Sequence, residues 1–224
     1  MSAAKPPRAV VFDFNGTISD DEPLLAELCA VIFAEIGIEV SRELYFGEYA
    51  GYSDPEIVER VLYRHARYDP TLAERLLARR TALYLERASS GETVHAAAAA
   101  CVREIAARVP VAVASGAARA EVEAVLVGSG LRGLFDVIIG AEDVERGKPD
   151  PLAYTTALGR LGVDPAGTLA FEDTHLGVAA AVAAGMRCVA VGDTVDGERL
   201  RAAGADAVVA SLDWSIPTVR GLFV

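Results

Sequence analysis

Six short, almost wholly apolar runs limit what this chain can fold into more than any other feature. They are AVVFDF (9–14), PVAVAS (110–115), FDVIIG (135–140), TLAFED (168–173), RCVAVG (187–192) and DAVVA (206–210). None alternates polar and apolar residues, so each reads as a strand covered on both faces, as in a parallel sheet. Helical patterns over 117–128, 151–161, 176–184 and 197–203 lie between them. Strand–helix alternation of this kind predicts an α/β fold, a doubly wound parallel sheet with a Rossmann-like core, and DAVVA at an edge. In such a sheet the working residues gather beyond the carboxyl ends of the strands.

The first and second runs are separated by residues 15–109, which are mostly helical in pattern. Asp54-Pro55 and Asp69-Pro70 each place an acid before a proline, a helix-start signature with the acid as N-cap. The helices they open cover roughly 54–67 and 70–88, with apolar residues at helical spacing. Residues 19–89 therefore read as an inserted helical domain, hinged near Thr17–Asp20 and Ser89–Gly91, on a core of residues 1–18 and 90–224. A chain of 224 residues suits one large domain with such an insert.

Net charge of −11 and a pI of about 4.8 argue against nucleic acid or an anionic membrane as partner. A local basic site for a small phosphate is compatible with that balance. Cys29, Cys101 and Cys188 are far apart and form no CxxC pair, so they read as buried free thiols. The opening MSAAKPPR has no apolar signal core, and AAAAACV is too short to span a bilayer, so the cytoplasm is the expected compartment.

The central strands end in residues that carry chemistry. The first ends in Asp13 and Asn15, the second in Ser115-Gly116, and the fourth in Glu172-Asp173. After the third comes ERGKPDP, which sets Lys148 at the mouth of a helix. Only Lys5 and Lys148 are lysine among 21 basic residues, which singles out the one in GKPDP. One acid after a strand is commonly a helix cap; four such ends on one sheet edge make a site.

In order and spacing these segments resemble the four motifs of the haloacid dehalogenase superfamily of aspartate-nucleophile hydrolases. DFNGT resembles that family's D-x-D-G-T, VAVASG its strand ending in Ser or Thr, GKPDP its lysine motif, and FEDTHLG its acidic pair. The resemblance covers essentially the whole chain, and the helical insert resembles the family's smaller cap. It implies a phosphatase of small phosphorylated metabolites in which Asp13 attacks phosphorus and forms an aspartyl-phosphate. It also implies Mg²⁺ held by the Asp13 carboxylate, the Asn15 backbone carbonyl and Asp173, with Glu172 close by. Ser115, Gly116, Lys148 and Thr17 are the expected phosphate-binding residues.

Asn15 departs from the pattern. Family phosphatases carry at that position an aspartate that protonates the leaving alcohol and then deprotonates the attacking water. An amide hydrogen-bonds but carries no useful proton near neutral pH. The sequence leaves four explanations open. The leaving group needs little protonation, or another residue has taken the role: His175, Asp20, Asp21 or Glu22. Alternatively, the Asn-Gly bond deamidates or the residue is engineered, or the protein binds phosphate and metal without turnover. Phosphonate cleavage through a cap lysine is disfavoured, because residues 19–89 contain no lysine. Metal-free dehalogenation is disfavoured by the Glu172-Asp173 pair, and a phosphohexose mutase by the need to shuttle protons. Selectivity would sit in the loop 47–56, with Gly51 and Ser53 at its turn and Arg42, Tyr45, Tyr49 and Tyr52 as candidate pocket residues.

Overall fold

In a computed structural model, which describes residues 5–192 and 197–223, all six apolar runs are strands of one parallel sheet. They are β1 (Ala9–Phe12), β2 (Val111–Ala114), β3 (Val137–Ile139), β4 (Thr168–Glu172), β5 (Arg187–Val191) and β6 (Ala207–Val209). Each is shorter than its apolar run by one to three residues at the ends. The first four residues of MSAAKPPR lie outside the described residues.

The strand order is β3-β2-β1-β4-β5-β6, which puts β6 at an edge as expected. The order reverses direction at β1, so a crevice opens beyond its carboxyl end. Register aligns the strand ends: Phe12 pairs with Val113 on one side and Phe171 on the other. Successive side chains of a strand point to opposite faces. Val10, Phe12, Val113 and Phe171 accordingly join one buried cluster, and Val11, Ala112 and Ala170 the other. Both faces are dry, which is why the strands show no polar alternation.

Helices α6 (Arg119–Gly128), α7 (Leu152–Leu161), α8 (His175–Ala183) and α9 (Gly197–Ala202) match the predicted patterns to within two residues at either end. A short C-terminal helix, α10 (Pro217–Gly221), adds to the core side. Between β1 and β2 run α1 (Glu22–Ala34), α2 (Arg42–Leu44), α3 (Asp54–Arg64), α4 (Pro70–Ala88) and α5 (Ala96–Ala106), with a π turn at Tyr45–Tyr49. α4 packs on α1 and α3 and reaches α6 beside the sheet. Among the described residues no helix is long and apolar enough to cross a membrane.

One expected cap is corrected. α3 does begin at Asp54, but its N-cap is Ser53, whose backbone N–H and hydroxyl both donate to Glu56 Oε2, at 3.0 and 2.6 Å. Ser-Asp-Pro offers two cap residues, and the Glu three positions after Ser53 selects the serine. Asp54 is thereby released to pair with Arg80 of α4 at 3.1 Å. α3 also ends at Arg64, short of the predicted 67. Asp69 caps α4 as predicted, accepting from Leu72 N at 2.8 Å.

The two crossings between the helical segment and the sheet lie side by side. Asp20 N donates to Thr93 O at 2.9 Å, and Ser19 Oγ to Thr93 Oγ1 at 2.7 Å. Asp20 itself is exposed and meets His95 Nε2 at 2.9 Å.

Candidate active site

Asp13 follows β1, and its N–H donates to Phe171 O of β4 at 2.9 Å, which fixes it at the sheet edge. Its carboxylate is buried and paired with Lys148 Nζ. The same Nζ reaches Glu172 Oε1 at 2.5 Å, so one buried cation serves two buried carboxylates. Glu172 is held further by Tyr154 Oη at 2.9 Å and, on its other oxygen, by the N–H groups of Asp173 and Thr174 at 3.0 and 3.1 Å. Thr174 Oγ1 caps α8 by accepting from Gly177 N at 3.1 Å.

Carboxylate oxygens of Asp13, Glu172 and Asp173 lie within 4.8 Å of one another, all three buried. A hard divalent cation with oxygen ligands fits that donor set. Gly16 (φ +74°) packs so close that an added Cβ would stand 2.0 Å from Asp173 Oδ2. Glycine there satisfies the left-handed backbone and the close approach together.

Burial pushes Asp13 up to about 7, opposed by Lys148 and reinforced by Glu172. Burial, then Asp13 and Glu172, hold Asp173 well above the usual carboxylate range. Lys148 is held charged beyond its ordinary value: the carboxylates of Asp13 and Glu172 outweigh burial. The cluster is an acid-rich pocket suited to gaining positive charge.

A cavity of about 40 Å³ opens on these groups. Asp13, Asn15, Gly116, Lys148 and Asp173 line it from the core, and Glu22, Tyr45, Tyr52, Ser53 and Asp54 from the helical segment. The loop carrying Gly51 and Ser53 sits directly on Gly116, where a Cβ would meet Ser53 Cα at 3.2 Å.

Of the expected phosphate-binding residues, Gly116 and Lys148 face this cavity. Ser115 is buried and lines a neighbouring cavity that shares Gly116 and Lys148; its hydroxyl accepts from Ala117 N at 3.0 Å and lies 3.5 Å from Asn15 Oδ1. Thr17 is buried beside a separate cavity, with no hydrogen-bond partner for its hydroxyl among the described residues. Tyr45 and Tyr52 line the central cavity, Tyr49 is buried elsewhere, and Arg42 lies over Phe46, 5.1 Å from the ring centroid. Sequence reasoning missed Tyr154, Tyr84 and the Arg80–Asp54 pair, none of which falls in a recognisable spacing.

Asn15 Nδ2 donates to Asp21 Oδ2 at 2.9 Å. That oxygen also accepts from Ser19 Oγ at 2.9 Å and from Tyr84 Oη. His175, at the start of α8, instead meets Arg199 at 2.9 Å.

Two acids lining the cavity from the helical segment give stability a pH dependence. Burial pushes Glu22 up to about 8, with Asp21, Asp13 and Asp54 adding to it, and Asp54 up to about 7 against the pull of Arg80. In the unfolded chain both ionise near 4. Between about pH 4 and pH 8 the folded chain keeps protons that the unfolded chain has lost, so stability falls as pH rises through that window. The melting temperature of the metal-free protein should fall over this range and level off above it, with a shallower fall in Asp54→Asn. Identical slopes for the two chains would refute this role for Asp54.

Three comparisons place this geometry among known proteins. Residues 7–185 match the haloacid dehalogenase-like hydrolase family. Hexitol phosphatase B of Escherichia coli (strain K12) is 30% identical over 194 residues, 85% of this chain and 86% of that one. Validoxylamine A 7'-phosphate phosphatase of Streptomyces hygroscopicus subsp. limoneus is 43% identical over 105 residues, about half of either chain (47% and 48%). The solved structure of CbbY from Rhodobacter sphaeroides in complex with phosphate superposes with a TM-score of 0.79 at 30% identity, covering 97% of this chain and 100% of that one. With the family matched over most of its length, the chain belongs to the haloacid dehalogenase-like hydrolases, alongside their phosphatases.

Proposed function

We propose that this chain, a phosphoric monoester hydrolase by family, is a Mg²⁺-dependent phosphatase of small phosphorylated metabolites of the sugar or sugar-alcohol phosphate class, acting in the cytoplasm. The observation that carries the reading is the buried meeting of Asp13, Lys148, Glu172 and Asp173 at the switch point of the sheet. The hexitol phosphate named for one relative supports the substrate class.

Asp13 is the nucleophile: its carboxylate oxygen attacks phosphorus, the ester oxygen leaves, and water later cleaves the aspartyl-phosphate. Asp13, Asp173 and the Asn15 carbonyl would hold Mg²⁺, with Glu172 close by, and its charge would offset the repulsion between nucleophile and phosphate. Lys148, shared by Asp13 and Glu172, turns part of its charge to the phosphoryl oxygens, with the Gly116 N–H and Ser115 beside it. Glu172, fixed by Tyr154 and two backbone N–H groups, keeps Lys148 aimed at the site.

Residues 19–89 serve as a cap on a core of residues 1–18 and 90–224. Its loop at Gly51–Asp54 sits on Gly116 beside the cavity, and lifting that loop would admit a sugar phosphate. The paired crossings at Ser19–Asp20 and Thr93 are the place for the hinge. Closing the cap would exclude water from the reacting centre.

The test is phosphate release from a panel of hexose and hexitol phosphates, with Mg²⁺ and after chelation. Release that needs Mg²⁺ is expected. Release indifferent to chelator would overturn the metal dependence. Mg²⁺-linked thermal stabilisation by phosphate with no release from any ester would make the chain a binding protein.

A further inference from the structure

Asn15 leaves the reaction without a proton carrier at the position where the family has one. Its amide is tied at both ends, Nδ2 to Asp21 at 2.9 Å and Oδ1 facing Ser115 Oγ at 3.5 Å. Of the four other candidates, three are placed badly. Asp20 is on the surface with His95, and His175 faces Arg199. Asp21 has an unpartnered buried oxygen, Oδ1, but does not line the cavity, and its Oδ2 is engaged by Asn15, Ser19 and Tyr84.

Glu22 is different. It is the first residue of α1, only 7% exposed, and lines the same cavity as Asp13, Lys148 and Asp173. Its Oε2 is buried and has no hydrogen-bond partner among the described residues. A buried carboxyl oxygen left unpaired is costly, and a site keeps one where a bound group satisfies it. The geometry points to Glu22 as the general acid and base of this phosphatase, the role vacated at position 15.

The inference rests on the phosphatase reading above. In the first step Asp13 forms its bond to phosphorus as the ester P–O bond breaks. The Glu22 proton passes to the leaving oxygen, giving the alcohol and a Glu22 carboxylate. In the second step a water attacks phosphorus and gives its proton to Glu22, the bond from Asp13 to phosphorus breaks, and inorganic phosphate leaves. Asp13 is again a carboxylate and Glu22 again an acid, so protons balance over the cycle.

Charged groups of both signs act on Glu22. The carboxyl groups of Asp13, Asp21, Asp54 and Asp173 surround it, with the Tyr45 hydroxyl also near. Arg80 and Lys148 are the cations on the other side of the balance. Because α1 belongs to the helical segment, the proton carrier would arrive with the cap.

The test compares the chain as it stands with Glu22→Gln, Asn15→Asp and the double variant, after intact mass shows Asn15 still an amide. Turnover is measured against pH for a hexitol phosphate, a poor leaving group, and for p-nitrophenyl phosphate, a good one. Glu22→Gln should lower hexitol phosphate turnover by about 10²–10⁴-fold. It should spare the p-nitrophenyl ester in the transfer step and remove the limb of the pH profile that Glu22 sets. In the double variant, Asn15→Asp should restore most of the rate lost in Glu22→Gln. A melting temperature no lower than the parent's, and unchanged Mg²⁺-linked stabilisation by inorganic phosphate, should accompany the loss. If Glu22→Gln keeps both rate and pH profile while the parent is active, Glu22 is not the proton carrier and the phosphatase reading stands. A loss that Asn15→Asp fails to rescue would also count against the proton role. If the parent releases phosphate from neither ester, the phosphatase reading fails, and the proton role with it.

Discussion

Asp13→Asn should lower phosphate release by about 10⁴-fold or more, the scale on which enzymes lose rate when a nucleophile is removed. An amide of the same shape cannot attack phosphorus as a carboxylate does, and nothing else at the edge of β1 replaces it. The nearest acids already have work: Glu172 is bound by Lys148, Tyr154 and backbone N–H groups, and Asp173 belongs to the cation-binding cluster. Removing one negative charge from a crowded acidic pocket should leave the fold intact. Asp13 is raised by burial and by Glu172, so its neutral replacement removes repulsion as well as its pairing with Lys148. The expected result is therefore a folded, phosphate-binding, inactive protein. Residual turnover within 10-fold of the parent would place the nucleophile elsewhere.

The largest expected effect on stability is at Arg80. Its guanidinium, 4% exposed, joins Asp54 of α3 at 3.1 Å and Glu121 of α6, which is fully buried. It thus bonds the helical segment to the core through one buried cation. Arg80→Met leaves two buried carboxyl groups without it, a change that typically costs about 3–5 kcal/mol. For a chain of this length that is a fall in melting temperature of about 6–20 °C. The deficit should grow between pH 5 and pH 8, because protonated acids are cheaper to bury than ionised ones. Replacing Arg80, Asp54 and Glu121 together by apolar residues of similar volume should recover much of the loss. A deficit under about 1 kcal/mol, independent of pH, would show that the cluster does not hold the two parts together.

What was legible in the sequence follows from which interactions are local. All six strands could be read, because burial on both faces writes an unbroken apolar run for each. The meeting of Asp13, Lys148, Glu172 and Asp173 could be read too. Each ends or follows a strand, or lies in the loop before a helix, at one sheet edge, and parallel strands bring those ends together whatever their separation in sequence. Asp54 was misread as a cap because Ser53 competes for the role, and only the reciprocal bond to Glu56 decides between them. The bonds of Tyr84 to Asp21, Tyr154 to Glu172 and Arg80 to Glu121 join separate elements and leave no periodic trace. The choice of Glu22 among four candidates needed the cavity, because neighbouring acids in SDDEP point to solvent, to Asn15 and to the active site in turn.

The central claim, covalent phosphoryl transfer to Asp13, is tested most directly by trapping the intermediate. The protein is mixed with acetyl phosphate and Mg²⁺, quenched in acid within the turnover time, and mapped by peptide mass. The account predicts a phosphoryl group on the peptide that carries Asp13, lost on hydroxylamine treatment and absent from Asp13→Asn. Phosphate release at full rate with no phosphoryl group on that peptide, or with one on another residue, would contradict it.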